Sequence, residues 1–208
     1  MLLKSRDIVL FQGDSITDCS RDRESYGDLG RGYAMMAAAY MGIVQPELDL
    51  TFLNRGIGGD RVADLEARWT EDCLQLRPTV VSITIGINNT WRRYDRNDPT
   101  SDEFFENSYR HIAEMTKSIL GARLVFMEPF LLPVKEDQQR WREDLDSKIR
   151  IIRRLASEYR AGYVPLDELF ARAAVTKPAY YWAPDGVHPS PAGHALIARA
   201  WLQAMNAI

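Results

Sequence analysis

Hydrophobic positions along the chain follow two alternating patterns. Five short runs are apolar nearly throughout, at 8–12, 50–54, 80–85, 124–128 and 163–166. Three of them (IVLF, VVSITI and LVFM) are rich in Val and Ile, as in strands covered on both faces. Between the runs, apolar residues recur every three or four positions, which predicts helices. Val62, Leu65, Trp69, Cys73 and Leu76 mark one over 62–76. Phe105, Tyr109, Ile112 and Ile119 mark a second over 102–120, with Ser101 as N-cap and Gly121 as stop. Trp141, Leu145, Ile149, Ile152 and Leu155 mark a third over 137–160. A fourth begins at SPAG, where Ser190 can cap and Pro191 needs no backbone N–H.

Strand and helix therefore alternate. That order predicts an α/β fold, a parallel sheet between helix layers with right-handed crossovers. At 208 residues, 46% hydrophobic, the chain can bury one full core, and no repeat or linker divides it, so we expect a single domain over 1–208. The net charge is −3 with no basic cluster, which gives no footprint for nucleic acid. The apolar runs are too short to cross a bilayer, so no membrane partner is expected. MLLKSRDIVLF has no secretory signal pattern, and two cysteines, Cys19 and Cys73, cannot build a disulfide framework; both point to the cytoplasm. Three dispersed histidines leave no metal cluster, and no cofactor is expected. Surface aromatics such as Trp201 fit either a homo-oligomer contact or a core role.

In open parallel sheets, sites form at the carboxyl ends of strands. After the first strand comes Gly13-Asp14-Ser15. After the second comes Asn54-Arg55-Gly56-Ile57-Gly58-Gly59-Asp60, and after the third Gly86-Ile87-Asn88-Asn89. Past the fifth comes Asp185-Gly186-Val187-His188-Pro189. Taken singly, each block is a turn, a cap or a chance pair. Strand order places them at one edge, where they suit acyl transfer. Ser15 needs a base to become a nucleophile, His188 can serve, and Asp185 can hold the imidazole tautomer. The Gly59 and Ser15 N–H groups and the Asn88 amide can donate to an oxyanion. His194 lies within the last helix as a structural or surface histidine, and His111 on a solvated helix face.

The blocks GDSIT, NRGIGGD, GINN and DGVHP, in this order over most of the chain, resemble those of the SGNH hydrolases, or GDSL esterases. The resemblance implies a flavodoxin-like three-layer α/β/α fold with five parallel strands in order 2-1-3-4-5. It implies a Ser15–His188–Asp185 triad and an oxyanion hole of Ser15, Gly59 and Asn88. Many members carry Gly-x-Asn-Asp, so Asn89 in place of the second Asp puts that loop's hydrogen bonds in question.

GDSITDC, NRGIGGDRVADLEARW, SITIGINNTWRRYD and DGVHPSPAGHALIARA are similar to a bacterial subgroup of acetyl esterases acting on acetylated xylo-oligosaccharides. With no long amphipathic insertion to cover an acyl chain, a short acyl group is expected. The partner is then a small-molecule ester. Asp14, Trp91, Arg92, Tyr181 and Trp182, with Tyr180 and Arg93 near them, are candidate substrate contacts, the aromatic rings offering flat area to a sugar. Rival readings are a general short-chain arylesterase, thioesterase or lysophospholipase-like esterase, a non-catalytic binding module, and phosphoester or sulfate-ester chemistry. The last would want metals or converging arginines, whereas the loops offer Arg55, Arg61 and Arg92.

Overall fold

The structure, a computed structural model, describes residues 3–208. Five strands, β1 Ile8–Gly13, β2 Thr51–Asn54, β3 Val80–Thr84, β4 Arg123–Met127 and β5 Gly162–Val164, pair in parallel in the order β2-β1-β3-β4-β5. Register aligns their carboxyl ends: Phe11 lies opposite Asn54, Gly13 opposite Thr84, Thr84 opposite Met127 and Met127 opposite Val164. The segments that follow each strand therefore open onto one edge.

Among the described residues, ten α-helices connect and cover the sheet. They are α1 Ser15–Asp18, α2 Tyr33–Val44, α3 Val62–Ala67, α4 Trp69–Asp72, α5 Ile87–Asp95, α6 Asp102–Met115, α7 Arg142–Glu158, α8 Leu166–Thr176, α9 Ala179–Trp182 and α10 Pro191–Ala204. Alternation within β1 divides the core. Val9 and Phe11 pack with Tyr33, Met41 and Ile197 from α2 and α10, while Leu10 joins Leu65, Tyr109 and Ile152 from α3, α6 and α7 on the other face. This is the three-layer flavodoxin-like α/β/α architecture that the resemblance implied.

Several element boundaries differ from the periodicity. The helix expected over 62–76 breaks at Arg68 into α3, α4 and a 3₁₀ turn at Leu74–Leu76. Arg68 reaches back to Asp60, Gln12, Asp72 and the Gly13 carbonyl, and its backbone leaves the helical range (φ −101°, ψ 7°). The helix expected over 102–120 starts where predicted, with Ser101 Oγ accepting from Phe104 N–H; its last turn widens into a π-turn at Thr116–Leu120 before Gly121. The first turns of the segment at 137–160 are 3₁₀, Glu136–Trp141, and α7 follows. α2 has no helical period at all: YAMMAAAYMGIV is apolar nearly all round. Trp201 has a core role. It is fully buried, stands 5.2 Å from the Phe11 ring, and donates its indole N–H to Ser82 Oγ at 3.2 Å.

Candidate active site

β1 ends at Gly13, and Ser15 opens α1 two residues later. Gly13 is required by contact. A Cβ there would lie 2.3 Å from the Thr84 carbonyl oxygen and 2.4 Å from Thr17 Oγ1. Asp14 caps α1, its Oδ1 accepting from Ile16 N–H at 3.0 Å. The block after β2 braces this turn. Asn54 Nδ2 donates to the Thr17 carbonyl at 2.6 Å and the Leu29 carbonyl at 2.9 Å, and Asn54 Oδ1 accepts from Gly56 N–H at 2.8 Å. Gly58 N–H donates to Asp18 Oδ2 at 3.0 Å, and a Cβ on Gly58 would sit 3.8 Å from the Ser15 Cβ. The glycine loop thus lies against the serine.

From the far end of the chain, His188 arrives on a turn after α9. Ser15 Oγ donates to His188 Nε2 at 2.9 Å. His188 Nδ1 donates to Asp185 Oδ2 at 2.6 Å, while Asp185 Oδ1 accepts the Val187 N–H at 2.9 Å and the His188 N–H at 2.7 Å. This network assigns the proton to Nδ1 and leaves Nε2 as the acceptor. Partial burial pushes Asp185 upward, but the hydrogen bonds from His188 and the two backbone N–H groups outweigh it and hold the carboxyl well below its usual range. The bond to Asp185 raises His188 above the ordinary imidazole value, against a smaller opposing effect of burial.

The expected oxyanion donors are carried on three segments at the carboxyl edge of the sheet. Asn88, near the start of α5, is buried; one hydrogen of its Nδ2 goes to the Asp60 carbonyl at 3.1 Å, which fixes the amide and leaves its second hydrogen. The Gly59 N–H has no hydrogen-bond partner among the described residues, and Gly59 takes φ +90°. Asn89 keeps its loop bonded without a carboxylate: Oδ1 accepts from Val62 N–H at 3.1 Å and Nδ2 donates to Thr100 Oγ1 at 3.0 Å.

The candidate substrate contacts separate. Trp91 stands beside the imidazole, ring centroids 5.9 Å apart, and lines a cleft with Tyr94, Trp141 and Asp185. Arg92 is ion-paired with Asp95, crosses the Trp91 ring at 5.3 Å, and borders the depression at Gly59. Arg93 pairs with Asp144. Asp14 is not a surface contact: it is 1% exposed beneath the serine, and burial pushes its carboxyl up to about 7. Tyr180, Tyr181 and Trp182 sit on α9, which is clamped to the start of α10; Ser190 N–H donates to the Trp182 carbonyl at 2.8 Å and Ser190 Oγ to the Tyr181 carbonyl at 2.7 Å. They line none of the clefts bordering Ser15, Gly59 or Asp185. His194 is buried, accepts from Tyr33 N–H at Nδ1 (3.2 Å), and donates from Nε2 toward Cys19 Sγ (3.3 Å). Burial lowers it to about 4, so it stays neutral. His111 is exposed and paired with Glu66.

Gln138 was not visible as a site residue in the sequence. It is buried; Oε1 accepts from Val134 and Lys135 N–H at 2.9 and 3.1 Å, and Nε2 donates to the Asp185 carbonyl at 2.7 Å. Leu132 N–H donates to the Gly186 carbonyl at 2.9 Å. The loop after β4 thus holds the Asp185 turn in place. No spacing rule marks a glutamine whose link to the site is a backbone carbonyl 47 residues away.

A parallel sheet carrying a serine, a histidine and a carboxylate in one hydrogen-bonded line at its carboxyl edge is the architecture of a carboxylic-ester hydrolase. The model of the GDSL-like lipase/acylhydrolase family matches residues 11–196, and the chain belongs to that family. It is 36% identical to the acetylxylan esterase of Geobacillus stearothermophilus over 211 residues, 98% of this chain and 95% of that one. The crystal structure of that esterase superposes with a TM-score of 0.91, covering 99% of this chain and 96% of the other. It has also been solved as catalytic mutants of a serine, an aspartate and a histidine. A GDSL-like lipase structure from Parabacteroides merdae matches with a TM-score of 0.93 at 36% identity, covering 98% of this chain and 97% of that one.

Proposed function

We propose that the protein is a serine esterase that removes acetyl groups from carbohydrate esters, acetylated xylo-oligosaccharides first among them, through an acyl-serine intermediate. The observation that carries this reading is the unbroken line from Ser15 Oγ through His188 to Asp185, at 2.9 and 2.6 Å. Ser15 Oγ attacks the ester carbonyl as its proton passes to His188 Nε2. The Ser15 and Gly59 N–H groups and the Asn88 amide hold the oxyanion. The carbon–oxygen bond to the sugar breaks as His188 protonates the leaving oxygen. His188 then takes a proton from water, which attacks the acetyl-serine and releases acetate.

The lining of the cleft supports a short acyl group. The cleft holding Ser15 and His188 is about 300 Å³, walled by Asp18, Cys19, Ser20, Pro189 and His194, with no run of large aliphatic side chains. The sugar preference rests on the likeness to the Geobacillus esterase.

Ser15→Ala tests the reaction class. It should fold normally and lose on the order of 10⁴-fold or more in kcat; a near-normal rate removes the nucleophile. A panel of acetyl, butyryl and octanoyl esters beside acetylated xylobiose tests the substrate. Turnover that peaks at octanoyl and spares the sugar ester would replace the carbohydrate reading with a general esterase.

A further inference from the structure

We infer that the aromatic cleft beside Asp185 is a pyranose subsite that receives the sugar portion of the substrate. The inference rests on the carbohydrate-ester reading above and gives it a place. The cleft, about 270 Å³, is built from Trp91, Tyr94 and Trp141, with Asp95, Lys135 and Asp137 among its polar positions. Trp141 and Tyr94 stack at 5.9 Å with an interplanar angle of 9°, and Trp91 meets Trp141 at 5.4 Å. Flat aromatic walls beside carboxylates and an ammonium group suit a ring with an apolar face and a belt of hydroxyls. An acyl chain would find no aliphatic side chain in this lining. The volume lies at the low end for small-molecule sites, so it fits about one sugar ring.

One group in the wall is unsatisfied. Trp141 is 3% exposed, and its indole N–H is buried with no hydrogen-bond partner among the described residues. Nearly all buried donors are paired, so this orphan, on a residue that lines the cleft, leaves room for an acceptor supplied from outside the chain. A sugar hydroxyl or ring oxygen is such an acceptor.

Position links the cleft to the chemistry. Trp91 is three residues after Asn88 on α5, so both lie on one side of that helix about a turn apart. Trp91 also flanks His188, the group that must reach the leaving oxygen. A substrate with its carbonyl oxygen at Asn88 and its leaving oxygen at His188 extends along Trp91 into the cleft.

The test titrates unacetylated xylotriose into the ¹⁵N-labelled full chain and follows the indole N–H resonances, with Trp141→Phe identifying the relevant signal. The Trp141 indole resonance should shift on titration. Trp141→Phe, which keeps a packed ring, and Tyr94→Ala should each weaken xylotriose binding about 5- to 10-fold. Each should also lower the ratio of kcat/KM for acetylated xylobiose to that for 4-nitrophenyl acetate by a similar factor. An unmoved Trp141 resonance, or binding and ratio both unchanged in the two variants, overturns the subsite. Should the variants leave the ratio intact while the wild type still cleaves the sugar ester, the cleft fails and the proposed function stands. Should xylotriose shift Trp141 while no sugar ester is cleaved, the subsite stands and the proposed substrate fails.

Discussion

The two halves of the site are held in different ways. The serine half is buried and over-determined. Asp14 and Asn54 are almost wholly inaccessible, Gly13 touches the Thr84 carbonyl, and Arg68 ties the end of β1 to Asp60 and Asp72. The histidine half lies near water, with the His188 and Asp185 side chains 45% and 40% exposed, and it leans on a few bonds from the loop after β4. Damage on the first side should therefore appear as lost stability. Damage on the second should appear as lost rate in a folded protein.

The largest expected effect lies on the exposed side. Asp185→Asn removes the carboxylate that sets the His188 tautomer and should cost about 10⁴-fold in kcat with little change in melting temperature. The pH profile provides a second readout. In the proposed mechanism His188 must be neutral to accept the Ser15 proton, so kcat/KM should rise with pH and level off above an inflection higher than the ordinary imidazole value. Without the Asp185 charge, that inflection should move down. An Asp185→Asn enzyme within tenfold of wild type would show that another group orients the ring.

Asn54→Ala examines the buried side. It strands the Thr17 and Leu29 carbonyls and the Gly56 N–H, and should cost about 3 kcal/mol in chemical denaturation. Gln138→Leu is its counterpart on the exposed side. It strands the Asp185 carbonyl and the Val134 and Lys135 N–H groups, so it should cost about as much stability as Asn54→Ala. Unlike that variant, it also lets the Asp185 turn drift, and a displacement near 1 Å costs about 10²-fold in kcat. If Gln138→Leu spares kcat, the contrast between the two halves is wrong.

Asp14→Asn gives a pH signature and leaves the other contacts of the buried half in place. The folded state holds the Asp14 proton up to about 7, whereas the unfolded chain releases it near 3.9. Ionising Asp14 therefore costs wild-type stability progressively between roughly pH 4 and 7. Asparagine can still cap α1 but does not titrate. The variant should match wild type below pH 4 and be more stable by about 4 kcal/mol above pH 7. A stability difference that does not vary with pH would mean that Asp14 is already ionised throughout.

What was legible in the sequence depended on how local the signal is. The strands were readable because both faces are covered, so their apolar runs are nearly continuous. The four polar blocks were readable because each follows a strand directly or sits in a short turn with its own glycines. α2 was not, because Ala, Met and Tyr around its whole circumference erase the period from which a helix is inferred. The break at Arg68 was hidden because it depends on partners in β1 and the β2 loop. Asp14 reads as a surface carboxylate beside the serine, yet the turn that exposes Ser15 folds its neighbour inward. Gln138 and Trp141 lie in a charged stretch that reads as one helix, and only the folded loop after β4 shows them facing the site.

Ser15 and His188 are separated by 173 positions, and α10 beyond them packs Trp201 beneath β1. The site is thus assembled from two segments far apart in sequence. A chain shortened to end at β5 would keep Ser15 but lack the proposed base His188. Ester cleavage should therefore require the segment through α10 to have docked on β1.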